Sequence, residues 1–349
     1  MSTGTTDALA QLHRPERERP AVRTSRRVLS ITTSTRNTML PLIWPTLAAG
    51  LALFIHRILP NLQNPAATHR YPLFLMILLG LSPLLALLHA TFRGARHWLC
   101  DIAPIVAMGI MAMCVWDLIT LKFAWLPLPF FPGPDAVFTA LVDDWRRLLE
   151  CTYRSLLLLA SGYSLGAFAG LVTGVIIGWF PRMRYWVMPI LKVVGPIPAT
   201  AWIPLSIMLF PTSFISGTIL IALAVWFPMT MLTSSGIANV RVSHLEVART
   251  LGAGRMFLIF NVAVPSALPN IFIGLFMGLG TAFLTLIAAE AVGVKSGLGW
   301  YIDMGRNYAE YDMIYASLIV TAVFFSTIMT ILFRVRDRVL VWQKGVIKW

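Results

Sequence analysis

The chain has 349 residues, of which 57% are hydrophobic and only 12% are charged, and its mean hydropathy is +0.74. Soluble domains are about 45–50% apolar and about 25% charged, so this composition argues against a soluble enzyme and against a disordered chain. The 28 Lys and Arg residues outnumber the 15 Asp and Glu residues, for a net charge of +13. In so apolar a chain this excess indicates loops kept in the cytoplasm rather than nucleic-acid binding.

A hydrocarbon core about 30 Å thick requires about 20 mostly apolar residues per spanning helix. The sequence therefore predicts an all-α membrane protein with about eight transmembrane helices. They cover about 39–59, 72–92, 101–121, 152–180, 184–210, 214–239, 265–291 and 312–334. The polar residues 1–38 are predicted to be a disordered basic leader in the cytoplasm, because a cleaved signal peptide would have a much shorter basic region.

The distribution of basic residues predicts the orientation of the chain. With the N-terminus in the cytoplasm, 20 Lys and Arg residues fall in the inside segments and eight in the outside segments, which is the bias expected for cytoplasmic loops. An even number of spans returns the C-terminus to the cytoplasm. The net charge is thus explained by topology, and no nucleic-acid partner is expected.

An outer connection separates the third and fourth spans. Its proline-rich residues 126–134 cannot form a helix interior, because proline lacks an amide hydrogen and clashes with the preceding turn. Over 135–149, apolar residues then recur at three- and four-residue intervals. This spacing predicts an amphipathic helix on the membrane surface, although a short packed connector fits the same residues.

Two predicted spans carry stripes of glycine. These residues are Gly162, Gly166, Gly170, Gly174 and Gly178 in the fourth span, and Gly274 and Gly278 in the seventh. Small residues on one helix face allow close approach of helices in lipid, so we expect tight packing at both stripes. The Gly-Tyr-Ser-Leu-Gly sequence at 162–166 lies inside an apolar helix and lacks the strand-to-helix turn that a catalytic serine needs.

The fifth span is interrupted by Gly-Pro-Ile-Pro at 195–198 and again at Pro204. Carbonyl groups freed at membrane depth are tolerated where they are buried in protein or line a cavity, and broken helices often border a substrate route. A route and a simple kink both remain open. Asp117 and Glu290 are acidic residues within apolar stretches near the outer surface, where each can extend to the interface or line a pathway.

The loop over 240–264 has the pattern of a short capped helix. Ser243 and Glu246 are spaced as in a capping box, which satisfies free amides at a helix start. Gly252 and Gly254 are expected to end the helix, and apolar residues follow up to Pro265. Such a helix suits docking into a groove of another protein, but these features fit equally well a helix that packs on its own spans.

This loop resembles the cytoplasmic motif of binding-protein-dependent ABC importer permeases. The motif reads Glu-Ala-Ala, three residues, Gly, nine residues, Ile-x-Leu-Pro. The chain has Glu-Val-Ala at 246–248, Gly252, and Val-Ala-Val-Pro at 262–265, with the spacing kept. Further segments are similar to the nitrate, sulfonate and taurine type of permease, at 131–137, 195–205, 288–290 and 296–302. The resemblance covers roughly residues 100–349.

The resemblance implies a type I ABC importer permease core over 93–349, with 39–92 as an additional N-terminal helical hairpin, in a bacterial inner membrane. It implies a homodimer of permeases, two ATPase subunits that bind ATP and Mg²⁺, and an extracytoplasmic substrate-binding protein. The chain itself would be neither an enzyme nor a cofactor or metal carrier, and would contact lipid. The cargo would be a small anion such as a sulfonate, taurine or nitrate.

An ion-coupled secondary transporter is the alternative. It predicts an inverted internal repeat and buried ion-binding acids, and the sequence shows neither. The absence of a strong cation within the spans also argues against tight anion binding in the permease, so selectivity would reside in the binding protein.

The resemblance also implies two sets of functional residues. Residues 240–264, the coupling loop, would fit a cleft in the ATPase and receive its stroke. Its assigned residues, with one that follows it, are Ser243, Glu246, Val247, Ala248, Arg249, Leu251, Gly252, Ala253, Gly254, Arg255, Phe257 and Pro265. The pathway would lie between two permeases at the broken span. Its candidate lining residues are Pro196, Pro198, Trp202, Pro204, Thr281, Thr285 and Glu290.

Overall fold

The computed structural model describes residues 40–63, 69–91 and 96–342. These residues form helices joined by loops and contain no strand, as expected where only helices satisfy backbone groups within one segment in lipid. The predicted leader over 1–38 lies outside the described residues.

Thirteen helices are defined in the described part of the chain. They are α1 (Leu40–Ile58), α2 (Arg70–Thr91), α3 (Arg96–Asp117), α4 (Pro134–Asp143), α5 (Trp145–Trp179), α6 (Pro181–Val194), α7 (Ile203–Leu209), α8 (Ser213–Ala238), α9 (Val242–Thr250), α10 (Arg255–Phe257), α11 (Val264–Gly293), α12 (Leu298–Tyr308) and α13 (Tyr311–Val339). A 3-10 turn at Ala199–Trp202 precedes α7. Short π-helical segments at Leu118–Lys122 and Leu258–Ala263 follow α3 and α10.

Six of the eight predicted spans correspond to helices from α3 onward. Five helical segments of the described chain are long and apolar enough to cross a membrane, and the bent pair of α6 and α7 makes a sixth if it is one span. The hairpin helices α1 and α2 are also mostly apolar and contain 19 and 22 residues, close to the roughly 20 residues that a spanning helix requires. The two spans expected in this hairpin stay a prediction.

The N-terminal hairpin is fixed to α3 by apolar and polar contacts. Side chains of α1, α2 and α3 share one buried cluster. Lys122 Nζ donates to the carbonyl oxygens of His56 (2.8 Å) and Leu59 (2.6 Å), at the α1 C-terminus, where positive charge is favoured. Asp117 is buried, and its Oδ2 lies 2.9 Å from His56 Nδ1. Asp117 therefore neither extends to the interface nor lines a pathway.

The outer helix predicted over 135–149 is two helices. The backbone turns at Asp144, and Trp145 already begins α5, a helix of 35 residues. The Asp144 carbonyl accepts from Leu148 N at 2.9 Å, so the turn supplies an acceptor to the first turn of α5. Because α4 buries one face against α13, it packs on the protein rather than lying freely on the membrane surface.

The glycine stripe of α5 lies along α8. A Cβ built on Gly162 would be 2.6 Å from Ile221 Cβ. One built on Gly174 would be 2.6 Å from Thr233 Cβ. All five glycines meet α8 in this way: Gly162, Gly166, Gly170, Gly174 and Gly178. The two backbones approach more closely than any side chain on α5 would permit.

The shorter glycine stripe of α11 also faces α8. A Cβ on Gly274 would lie 3.1 Å from Met229 Sδ, and one on Gly278 would lie 3.0 Å from Val225 Cγ1. Because α8 thus packs against both α5 and α11, these three helices form the centre of the fold.

The fifth predicted span is broken once rather than twice. α6 and the segment Ala199–Leu209 meet at an angle of 81°, across the Gly-Pro-Ile-Pro residues at 195–198. Pro204 does not interrupt the chain, because it lies in the first turn of α7, where the missing amide hydrogen has no helical partner to lose. A side chain on Gly195 would collide with the ring of Phe227, so the break packs closely on α8.

Candidate functional site

The coupling loop contains α9, whose start differs from the prediction. Its N-cap is Arg241, and no side chain caps its first turn. The capping box predicted for Ser243 and Glu246 is therefore wrong. Because α9 begins at Val242, Ser243 lies within the first turn and not at the extended N-cap position from which a hydroxyl accepts.

The end of α9 is a glycine-dependent turn. Gly252 has a φ of +84°, and its N–H bonds to the carbonyl of Arg249 at 2.9 Å. The next amide, that of Ala253, bonds to the carbonyl of Ala248 at 3.0 Å. These two bonds define a Schellman motif, in which a left-handed glycine satisfies the last helical carbonyls. The spacing from Ala248 to Gly252 is thus explained by the way α9 terminates.

The assigned residues occupy one continuous surface segment. Ser243, Glu246, Val247, Ala248 and Arg249 lie on α9, Leu251 to Gly254 form its turn, Arg255 and Phe257 form α10, and Pro265 lies in the first turn of α11. No residue of α9 is buried, and Leu251 is 82% exposed. This exposure disfavours the interpretation that α9 packs on its own spans.

A cavity of about 760 Å³ lies between the coupling loop and the ends of α5 and α8. Its walls include Trp179 of α5 and Ile237 of α8. The guanidinium-bearing residues Arg249 and Arg255 also line it. Neither arginine forms an ion pair with a described residue, so both charges remain available to a partner.

A second cavity, of about 660 Å³, lies at the break between α6 and α7. Of the predicted pathway residues, Pro198, Thr281 and Thr285 line it. Pro196 and Pro204 are exposed elsewhere on the broken span. Trp202 is half-buried and packs with Ile203, Leu220 and Ala289.

The lining of this second cavity is almost entirely apolar. It includes Leu223, Phe227 and Leu284, and none of the residues that line it is charged. Thr281 Oγ1 donates to the carbonyl of Ala224 at 2.9 Å, and Thr285 Oγ1 donates to the carbonyl of Thr281 at 2.9 Å. These two hydroxyl protons are already bonded to the backbone, and no lining residue is charged. The wall therefore has no cation that could hold an anion.

Glu290 lies away from this cavity and is fully buried. Its Oε1 accepts from Ser155 Oγ at 2.7 Å, and its Oε2 accepts from Gly299 N at 2.9 Å. Within the described subunit Glu290 therefore neither extends to the interface nor lines the cavity at the break, because both carboxylate oxygens accept hydrogen bonds from Ser155 and Gly299. No sequence pattern around Ser155 indicates its role here.

The same end of the molecule has a second buried polar contact. Tyr301 Oη donates to Asp144 Oδ2 at 2.7 Å, which joins α12 to the turn between α4 and α5. Burial, together with this hydrogen bond, raises the pKa of the Tyr301 phenol. The phenol therefore stays protonated and remains a donor at physiological pH.

These features define a class of protein. A bundle of apolar helices with a broken span, an uncharged cavity at the break and an exposed loop helix is a multi-pass membrane protein, and this arrangement is compatible with a transport component. The chain belongs to the binding-protein-dependent transport system inner membrane component family, whose pattern matches residues 166–340. It is therefore an ABC importer permease, a transport subunit rather than an enzyme or an ion-coupled carrier.

Individual relatives agree with the family. A putative aliphatic sulfonates transport permease protein, SsuC of Bacillus subtilis, is 37% identical over 164 residues, which cover 47% of this chain and 59% of that protein. The protein of the same name in Escherichia coli is 32% identical, covering 65% of this chain and 86% of its own length. The taurine transport system permease protein TauC of Escherichia coli is 29% identical, covering 62% and 82%.

Proposed function

We propose that this permease admits aliphatic sulfonates, taurine among them, in an ATP-driven importer. The names of the similar permeases support this substrate class. The uncharged cavity is compatible with it, since a sulfonate carries an apolar chain behind its anionic head and has to pass without being trapped. Selection of the sulfonate head then falls to an extracytoplasmic binding protein.

The assembly proposed contains two copies of this chain and two ATPase subunits. ATP and Mg²⁺ bind to the ATPases, and closure of the ATPases moves α9 of each permease. The observation that carries this proposal is the exposed α9 with its glycine-dependent end. Val247, Leu251 and Phe257 of the coupling loop are exposed apolar side chains, and a cluster of such side chains in water indicates a partner. The free guanidinium groups of Arg249 and Arg255 suit acidic residues of that partner.

The proposed setting is a bacterial inner membrane with α9 on the cytoplasmic side. The excess of basic residues in the predicted inside segments supports this orientation. In this orientation the Glu290 contacts and α12 face the outside, where the binding protein delivers its cargo.

Reconstituted complexes test the proposal. Proteoliposomes that contain the permease and its ATPase, with binding protein outside, are expected to accumulate radiolabelled sulfonate when ATP is enclosed. Leu251→Asp, which places a charge on the exposed apolar surface of the coupling loop, is expected to lower uptake at least tenfold. Uptake that continues without ATP would refute an ABC mechanism.

Val341→Asp is the matched control. Val341 is also exposed and apolar, at 60%, and it follows α13 on the same predicted side of the membrane, outside the coupling loop. Uptake within twofold of wild type is expected for this variant. Competition by unlabelled nitrate as strong as that by unlabelled sulfonate would overturn the proposed substrate class.

A further inference from the structure

The outer end of α11 is joined to α5 and α12 through one carboxylate. Glu290 and Ser155 are both fully buried. Ser155 Oγ donates to Glu290 and accepts from Leu298 N at 2.9 Å, while Gly299 N donates to the other carboxylate oxygen. Within the described part of the chain, Glu290 has no basic partner.

These bonds explain a carboxylate buried without a counter-charge. Leu298 and Gly299 are the first two residues of α12, and the first amides of a helix have no intrahelical acceptor. The N-cap residue of α12 is Gly297, which has no side chain to supply one. Glu290 and Ser155 therefore cap α12 from two other helices, and the helix dipole stabilises the negative charge.

The backbone around the carboxylate is shaped to receive it. Gly297 has a φ of +142°, and a side chain there would collide with the Glu290 carboxylate. A side chain on Gly299 would collide with the carbonyl of Ile287. The first turn of α12 can approach α11 this closely because both positions are glycine.

The same stretch of α11 also packs against the broken span. Ala289, the residue before Glu290, lies in an apolar cluster with Trp202 and Ile203. One turn further on, a Cβ on Gly293 would lie 3.6 Å from Ile207 Cδ1. The end of α11 thus contacts α12 and α5 through Glu290, and α7 through its neighbours.

We propose that Glu290 is a positioning residue of the transport cycle. By capping α12, it fixes that helix to the part of α11 that packs on α7, so a displacement at the outer face reaches the broken span. This inference rests on the proposed function, in which the binding protein acts at the outer face. It assigns Glu290 to signal transmission and not to contact with the cargo.

Glu290→Gln in the reconstituted complex tests the inference. The glutamine keeps the volume, but its amide group brings a donor to a site where Ser155 and Gly299 already donate. We expect the increase in ATP hydrolysis caused by loaded binding protein to fall at least fivefold, while basal hydrolysis stays within twofold. Glu150→Gln, at an exposed carboxylate on α5, is the control and should keep the full increase.

Two further variants separate transmission from simple loss of structure. Ser155→Ala removes one partner and is expected to reduce the increase less than Glu290→Gln does. In the double variant, the increase in ATP hydrolysis should be no smaller than in Glu290→Gln alone, because both changes disrupt the same hydrogen-bonded group. Full stimulation in Glu290→Gln, or an equal fall in basal and stimulated rates, would overturn the inference.

Hydrogen exchange on the purified full-length permease provides a readout that needs no ATPase. We expect Glu290→Gln to speed amide exchange in both α12 and α7, and Glu150→Gln to change neither. Unchanged exchange in α7 would refute the link to the broken span. A wild-type complex that no sulfonate-loaded binding protein stimulates would instead refute the proposed function, so the two failures are distinguishable.

Discussion

Gly252 shows how one residue determines the form of the coupling surface. Space around it is open, since an added Cβ would meet no atom within 4 Å. Its constraint is the backbone φ of +84°, which L-residues adopt at a cost of about 1 kcal/mol or more, and which asparagine tolerates best. The position requires a left-handed conformation rather than a small side chain.

We therefore predict a graded response to substitution at Gly252. Coupled ATP hydrolysis should decrease in the order Gly, Asn, Ala, Val, with Val reducing it at least tenfold, because a β-branched residue resists positive φ most strongly. Gly80→Ala in α2, where an added Cβ also meets nothing within 4 Å, should leave hydrolysis unchanged. A response that follows side-chain volume, with Asn worse than Ala, would contradict the backbone explanation.

At the scale of elements, α5 and α8 can pack this closely because the α5 residues that face α8 are glycines, which have no side chain. A methyl group at Gly174 would meet Thr233 Cβ at 2.6 Å and the carbonyl of Thr230 at 2.9 Å. Backbone atoms cannot move aside as a flexible side chain can, so the two helices would have to separate. Overpacking of this kind costs about 1–3 kcal/mol.

Gly174→Ala is accordingly predicted to lower the thermal unfolding temperature of the detergent-solubilised permease by several degrees. Gly109→Ala in α3 is the control, because an added Cβ there meets nothing within 4 Å, and alanine favours a helix over glycine. It should leave the unfolding temperature unchanged or raise it slightly. Equal effects of the two changes would show that the stripe is not a packing surface.

Features that depend on local periodicity could be predicted from the sequence. Apolar length predicted the five long spans and the bent pair of α6 and α7, and the Gly-Pro-Ile-Pro run predicted the break after α6. The glycine spacing indicated a smooth helix face. Each of these signals lies within a few consecutive turns of one helix, which is the range over which sequence patterns are informative.

Features that depend on contacts between distant residues could not be predicted. Ser155 and Glu290 are 135 residues apart in the sequence. No local sequence pattern around either residue indicates that their side chains form a hydrogen bond. The capping box failed for a local reason: α9 starts one residue before Ser243, and sequence patterns locate a helix more reliably than they locate its first residue. The two glycines at 297 and 299 indicate that another part of the chain packs closely against this backbone. Their spacing does not identify α11 as that part.

On the scale of the whole molecule, the cavity at the break predicts where water reaches the membrane interior. In a cysteine-free background, Thr200→Cys and Leu284→Cys, which line the cavity, should react with a charged thiol reagent at rates that differ at least fivefold between nucleotide-free and ATP-trapped complexes. Met108→Cys, on an apolar groove between α1 and α3, should remain unreactive because lipid excludes the reagent. Equal rates in both states would argue against a gated pathway at this position.

The interlocking of α5 and α8 also limits how this protein changes shape. Each of the five glycines of α5 packs directly against α8, so axial sliding of one helix past the other would disrupt all five contacts at once. Interfaces of this kind behave as bistable or rigid, and not as continuously deformable. We therefore expect α5 and α8 to move together as one rigid unit when the protein changes shape.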